Sequence, residues 1–148
     1  MLEEFIEVNK LKAQFVSFST ETPVAVAIKQ KKFNPKNIVQ INIFTSLKQD
    51  EILTITPFGK QPQLEKLEDI VGEELLELNK DECLERTGYA KGSIPPVSIY
   101  GIKVFIDSSL EDRGYLIVPI NTKKYLKIPL EEVLSFNEDI SFEKLFDD

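Results

Sequence analysis

The sequence predicts an α+β domain whose mixed β-sheet curls toward a barrel. Three observations carry that expectation. Runs of β-branched and aromatic residues outnumber helical stretches. The two kinds are mixed along the chain. With 148 residues, 42% of them hydrophobic, the chain is long enough for one domain with one core.

The elements follow in order. Glu3 to Ala13 reads as a short helix with Phe5, Ile6, Val8 and Leu11 as its apolar contacts. Phe15 to Phe18 reads as a strand ending in Ser19-Thr20-Glu21-Thr22. Thr22-Pro23 is a favourable N-cap and N1 pair for a helix through Val24 to about Lys32, which Asn34-Pro35 stops. Ile38 to Thr45 is a strand, and Glu51 to Thr56 is its hairpin partner across Lys48-Gln49-Asp50. Pro57 to Pro62 is a turn carrying Gly59. Leu64, Leu67, Ile70 and Val71 make one face of a helix closed by Gly72. Leu75 to Leu78 is a short apolar piece, and Asp81 caps a short helix reaching Thr87. After a long loop, Ile102 to Ile106, Tyr115 to Ile120 and Tyr125 to Ile128 are strands. Pro129 to Leu134 is a helical turn, followed by an acidic tail, residues 135–148, partly ordered through Phe142, Leu145 and Phe146.

Absences narrow the chemistry. The chain has no histidine and one cysteine, Cys83. That excludes a Ser-His-Asp or Cys-His triad, a histidine base, a histidine or cysteine metal site and an internal disulfide. No metal or cofactor is expected. A hydrolase built on this chain relies on carboxylates, lysine, tyrosine, hydroxyls, oriented backbone amides or the substrate itself. Cys83 reads as a half-buried helix residue. The longest apolar run, Tyr115 to Ile120, is too short to span a bilayer, and the acidic start lacks the pattern of a signal peptide; a cytoplasmic protein without a membrane partner is expected. The net charge is −7, and Arg86 and Arg113 are the only arginines. No global basic footprint for DNA or RNA exists, so any nucleic-acid contact is local. Lysines cluster at Lys29, Lys31, Lys32 and Lys36 and at Lys123, Lys124 and Lys127, where solvated faces explain them.

The segment GYAKGSIPPVSIYG, Gly88 to Gly101, holds three of the six glycines and two adjacent prolines. It reads as a shaped loop. Together with Thr87, its first part, TGYAKGSIPP, resembles the signature loop of the YbaK/EbsC (ProX-type) and prolyl-tRNA-synthetase editing-domain family. The order of the flanking pieces is similar too: Thr22-Pro23 and a helix, NIVQINIF, ILTITPFG, the helix ending at Gly72, then VFIDSSL. The resemblance covers Ser19 to Val133 within a single domain, 1–148.

The resemblance implies hydrolysis of the ester joining a wrong amino acid to tRNA, by a free-standing protein acting in trans. The implied partners are the aminoacyl-tRNA 3′ end and an aminoacyl-tRNA synthetase. Gly92-Ser93-Ile94-Pro95-Pro96 matches the family's G-x-x-x-P element. Its amides are implied to hold the ester carbonyl or a water, with the prolines stiffening the wall. Asp107 matches the family aspartate that holds the substrate amino group or supports the loop; a strand-end Asx turn with Ser109 explains it equally. Thr22 aligns with a pocket-side threonine, and an N-cap explains it too. Gly101 fits the glycine after the loop. Where the family carries a lysine held to contact the terminal adenosine phosphate, this chain has Gln40. Where members have a glycine-containing turn, it has Pro119-Ile120-Asn121, and Asn121 tolerates the turn's backbone. A histidine present in some subfamilies near this turn is absent, with Tyr125 nearby. Lys60 and Lys91 stand beside turn elements as substitute phosphate contacts. Two readings stay open: an active deacylase, favoured by the loop and Asp107, and a degenerate editing fold binding an aminoacyl group, nucleotide or protein, favoured by Gln40. An unrelated small α+β protein with a chance proline-rich loop is a third.

Overall fold

A computed structural model describes residues 1–147. In chain order the elements are α1 (Leu2–Val8), β1 (Gln14–Ser17), α2 (Val24–Lys31), β2 (Val39–Ser46), β3 (Glu51–Pro57), α3 (Leu64–Val71), β4 (Leu75–Glu77), α4 (Lys80–Thr87), β5 (Lys103–Asp107), β6 (Tyr115–Asn121), β7 (Lys124–Pro129), α5 (Leu130–Ser135) and β8 (Asp139–Glu143). No helix among the described residues is long and apolar enough to cross a membrane.

The α+β class is correct, but the sheet is not a barrel. There are two sheets, β1-β7-β6 and β4-β2-β3-β5-β8. Closure needs an unbroken ladder around the ring. Here the sheets meet through one isolated parallel bridge, Ile38 to Ile117, and the larger sheet ends in two short edges, β4 and β8.

Within the larger sheet, β2 and β3 form the expected hairpin, Thr45 opposite Glu51 and Val39 opposite Pro57. β5 then adds parallel to β3, and β8 parallel to β5. Alternation along β2 divides its side chains between two faces. Val39 and Ile43 enter the main core with Leu53, Ile55, Val104 and Ile106. Phe44, on the other face, joins Ile52, Phe105, Leu67 of α3 and Leu145 of the tail. Gln40 and Asn42 share the face of Phe44 but lie nearer the start of the strand.

Several local expectations are corrected. α1 ends at Val8, since the chain reverses at Lys10, where φ is +53° and Leu11 N–H reaches back to Ile6 O. In α3, Leu67 and Val71 pack, while Leu64 and Ile70 face solvent. α4 is capped by Asn79, not Asp81: Asn79 Oδ1 accepts from Glu82 N–H, and Glu82 returns the bond to Asn79 N–H, completing a capping box. Cys83 on that helix is fully buried, not half-buried.

Candidate functional site

The loop after α4 is built from its own side chains. Gly88 closes the helix in the left-handed region. Thr87 Oγ1 donates to Cys83 O (2.6 Å) and accepts from Tyr89 N–H (3.0 Å), turning the chain sharply. The Tyr89 hydroxyl and Ser98 Oγ lie 2.9 Å apart and brace the far side. Ile94 and Val97 sink into the main core, and Pro95 and Pro96 are buried beside them. Asn137 Nδ2 donates to Pro96 O (2.8 Å).

Between these anchors Gly92 is exposed, with φ +90°. Beyond its two chain neighbours, no heavy atom among the described residues lies within 4 Å of where a Cβ would stand. Glycine is needed there for the backbone angle, not for want of room. Ser93 N–H is taken by Ala90 O (2.9 Å), but neither Gly92 N–H nor Ile94 N–H finds a protein acceptor among the described residues. Backbone donors left free on a stiff loop can receive an oxygen that gains negative charge.

A line of polar groups runs from the start of β2 to this loop. Gly59 N–H donates to Gln40 Oε1 (2.8 Å), Gln40 Nε2 to Asn42 Oδ1 (3.2 Å), and Asn42 Nδ2 to Glu77 Oε2 on β4 (3.0 Å). Lys91 Nζ stands 3.7 Å from Glu77 Oε2 and donates to Leu78 O at 3.0 Å. The two candidate lysines therefore differ. Lys91 is engaged with β4, while Lys60 lies exposed on the Pro57 turn beside the tethered Gly59.

The other expected residues lie at two further places. Thr22 and Asn121 meet at the β6–β7 turn. Thr22 N–H donates to Thr122 O (2.7 Å), and Thr22 O accepts from the buried Tyr125 hydroxyl (2.8 Å). Thr22 is not an N-cap. Pro23 holds that position, and Thr22 Oγ1 turns back to Thr20 O (2.9 Å) because the helix starts one residue later than expected. Asn121 Oδ1 accepts from Lys123 N–H (2.8 Å), closing the turn. Burial pushes the Tyr125 phenol above its usual range.

Asp107 ends β5 almost completely buried. Its Oδ2 accepts from both Ser109 N–H (3.1 Å) and Ser109 Oγ, and its Oδ1 from Leu145 N–H (2.9 Å). Both oxygens are occupied by protein donors. The Asx-turn geometry with Ser109 is present, and the carboxylate also clamps the tail.

Gly101, with φ +71°, lies apart from all of these. It borders a depression of about 1030 Å³ at the hairpin end of β2 and β3, with Phe5, Tyr100, Phe136, Arg86 and Glu51. Gln40 sits at the opposite end of β2, opposite Thr56 in the ladder, so that depression is remote from Gln40. Asn42, Glu77 and Thr56 were not singled out from the sequence. Asn42 had a signal, since with Gln40 it places two amides on one face of an otherwise apolar strand.

The model of the family described as aminoacyl-tRNA editing domain matches residues 19–136. Among solved structures, a protein described as a candidate trans-editing enzyme for prolyl tRNA synthetase superposes with a TM-score of 0.82 at 21% identity, covering 99% of this chain and 95% of that one. A scaffold used for epitope backbone grafting by computational design gives 0.85 at 19% identity, with 99% and 95% covered. The hypothetical protein APE2540 gives 0.81 at 20%, with 96% and 97% covered. At these identities the likeness is one of fold. No match was found among curated proteins.

Proposed function

Because the chain belongs to the aminoacyl-tRNA editing domain family, we propose that it hydrolyses the ester of mischarged tRNA, acting in trans as a free-standing deacylase. The observation that carries this reading is the glycine-hinged loop, exposed at Gly92, whose Gly92 and Ile94 amides have no protein acceptor among the described residues. Water adds to the ester carbonyl, the carbonyl oxygen gains charge against those amides, and the bond to the ribose oxygen breaks. Free amino acid and uncharged tRNA result, and the proton lost by water ends on the ribose oxygen. An aminoacyl ester is already activated, so positioning and oxyanion stabilisation supply much of the rate. A chain without histidine can run this reaction, with a bound water or a substrate hydroxyl in place of a side-chain base. Net charge −7 gives tRNA no long-range attraction. The recognised piece is accordingly the aminoacylated 3′ end, with a synthetase as the delivering partner.

A second reading is favoured by Gln40, which brings no charge to the position where the family carries lysine: an editing fold retained for binding alone. The two part on one experiment. The purified protein is incubated with tRNAs charged with Ala, Cys, Ser, Thr and Pro, and ester loss is followed beside a Gly92→Ala variant. Turnover of one or more esters, slowed roughly ten- to a hundredfold in the variant, is expected. Absence of turnover across the panel would overturn the deacylase reading in favour of the binding module.

A further inference from the structure

Gln40 does not merely lack a charge; its side-chain amide is held one way round. Two constraints act from opposite ends of the polar line. A backbone N–H can only donate, so Gly59 N–H, at 2.8 Å, requires the oxygen of Gln40. An ionised carboxylate can only accept, so Glu77 Oε2, at 3.0 Å, requires the nitrogen of Asn42. Asn42 must then show its oxygen to Gln40, which answers with its nitrogen at 3.2 Å. Both ends dictate the same polarity, so the orientation follows from the partners and not from how an amide was placed. Lys91 Nζ lies 3.7 Å from that same Glu77 oxygen.

An amide nitrogen carries two hydrogens, and this line uses one of them. We infer that Gln40 is a neutral hydrogen-bond donor in place of a cationic side chain: its carbonyl is turned to Gly59, its second Nε2 hydrogen is what it offers a ligand oxygen, and Glu77, acting through Asn42, is the positioning residue that keeps it so. Beside it on the same face of the ladder lies Thr56, fully buried, whose hydroxyl has no partner among the described residues. The ligand class, an acceptor-rich aminoacyl-nucleotide end, rests on the deacylase reading; the orientation of Gln40 does not. One consequence separates this from a simple lost lysine. Lysine cannot accept a hydrogen bond, so Gln40→Lys releases Gly59 and its turn. Gln40→Glu is the complementary probe, because it still accepts from Gly59 N–H but has no hydrogen to offer.

The experiment measures two quantities on the full chain, with thermal melts to confirm that each variant folds. One is amide hydrogen exchange at Gly59. The other is calorimetric binding of 3′-alanylamido-3′-deoxyadenosine 5′-phosphate, a hydrolysis-resistant mimic of a charged 3′ end. Gly59 is expected to be protected in the wild type and in Gln40→Glu and unprotected in Gln40→Lys. Binding is expected to fall roughly tenfold in Gln40→Glu and about fivefold in Asn42→Ala and Glu77→Ala. Wild-type affinity in Gln40→Glu, or unchanged affinity in both Asn42→Ala and Glu77→Ala, would overturn the inference, as would rapid exchange of Gly59 in the wild type. No binding by any form, with Gly59 still protected in the wild type, would overturn the donor role and the aminoacyl-nucleotide ligand while leaving the orientation intact. Esters cleaved by a wild type whose Gln40 variants all bind normally would sink the inference and keep the deacylase.

Discussion

Replacing Asp107 by alanine separates a clamp from a substrate contact. The carboxylate accepts from Leu145 N–H, Ser109 N–H and Ser109 Oγ. Leu145 is wholly buried against Phe44, Ile52, Leu67 and Phe105, so its N–H has no route to water once the carboxylate is gone. An orphaned buried donor costs about 2 kcal/mol, and loss of the cap on the 3-10 turn Ser108–Leu110 about 1 more. Asp107→Ala should lose about 3 kcal/mol, a large share of a stability of order 10. Urea unfolding would show the midpoint lowered by about 1.5 M with the slope unchanged. Asp107→Asn should lose only about 1 kcal/mol. Its oxygen can keep Leu145, its nitrogen can donate to Ser109 Oγ, and exposed Ser109 N–H can turn to water. Ester hydrolysis per folded molecule should stay within about threefold of wild type for the asparagine variant. A loss of activity beyond about a hundredfold in Asp107→Asn, with stability nearly intact, would refute the clamp and restore the reading in which Asp107 grips the substrate amino group.

Gly92→Ala puts a side chain at φ +90° in open space, so the penalty is backbone strain of about 1–2 kcal/mol, read as a lowered melting temperature. The same shift of the loop amides should slow deacylation roughly ten- to a hundredfold. Tyr125 is expected to be the last of the four tyrosines to ionise in an alkaline absorbance titration, because burial disfavours the phenolate. The unfolded chain loses this proton first, so stability should fall as pH rises through the ordinary tyrosine range near 10; a titration with no late tyrosine would contradict it. Burial likewise raises the Cys83 thiol, so labelling by a thiol reagent at neutral pH should be about a thousandfold slower in the native protein than in urea. Rapid native labelling would place Cys83 at an open surface.

Local chemistry alone specified a good part of this protein. The β2–β3 hairpin is written in two β-branched runs around a polar turn, and α3 and α4 end at Gly72 and Gly88 because glycine tolerates their left-handed angles. The Gly88–Gly101 loop announced itself by glycine and proline, and TGYAKGSIPP was enough to point to the family. Those signals are short-range, so a sequence carries them legibly. Long-range pairing is different. β8, DISFE, read only as an acidic tail, since five residues with two charged ends become a strand when the open edge of β5 meets them in parallel register. Two sheets or one curled sheet depended on how few bonds Ile38 and Ile117 exchange, and no local pattern encodes that. The hydrogen-bond partners of Asp107 and Gln40 were decided the same way. A carboxylate after a strand and an amide within one are ambiguous as residue types. Leu145, brought back from the tail to one, and Gly59 and Glu77, carried to either end of the other's hydrogen-bonded line, gave each its partners, because a hydrogen bond depends on proximity in space and not along the chain.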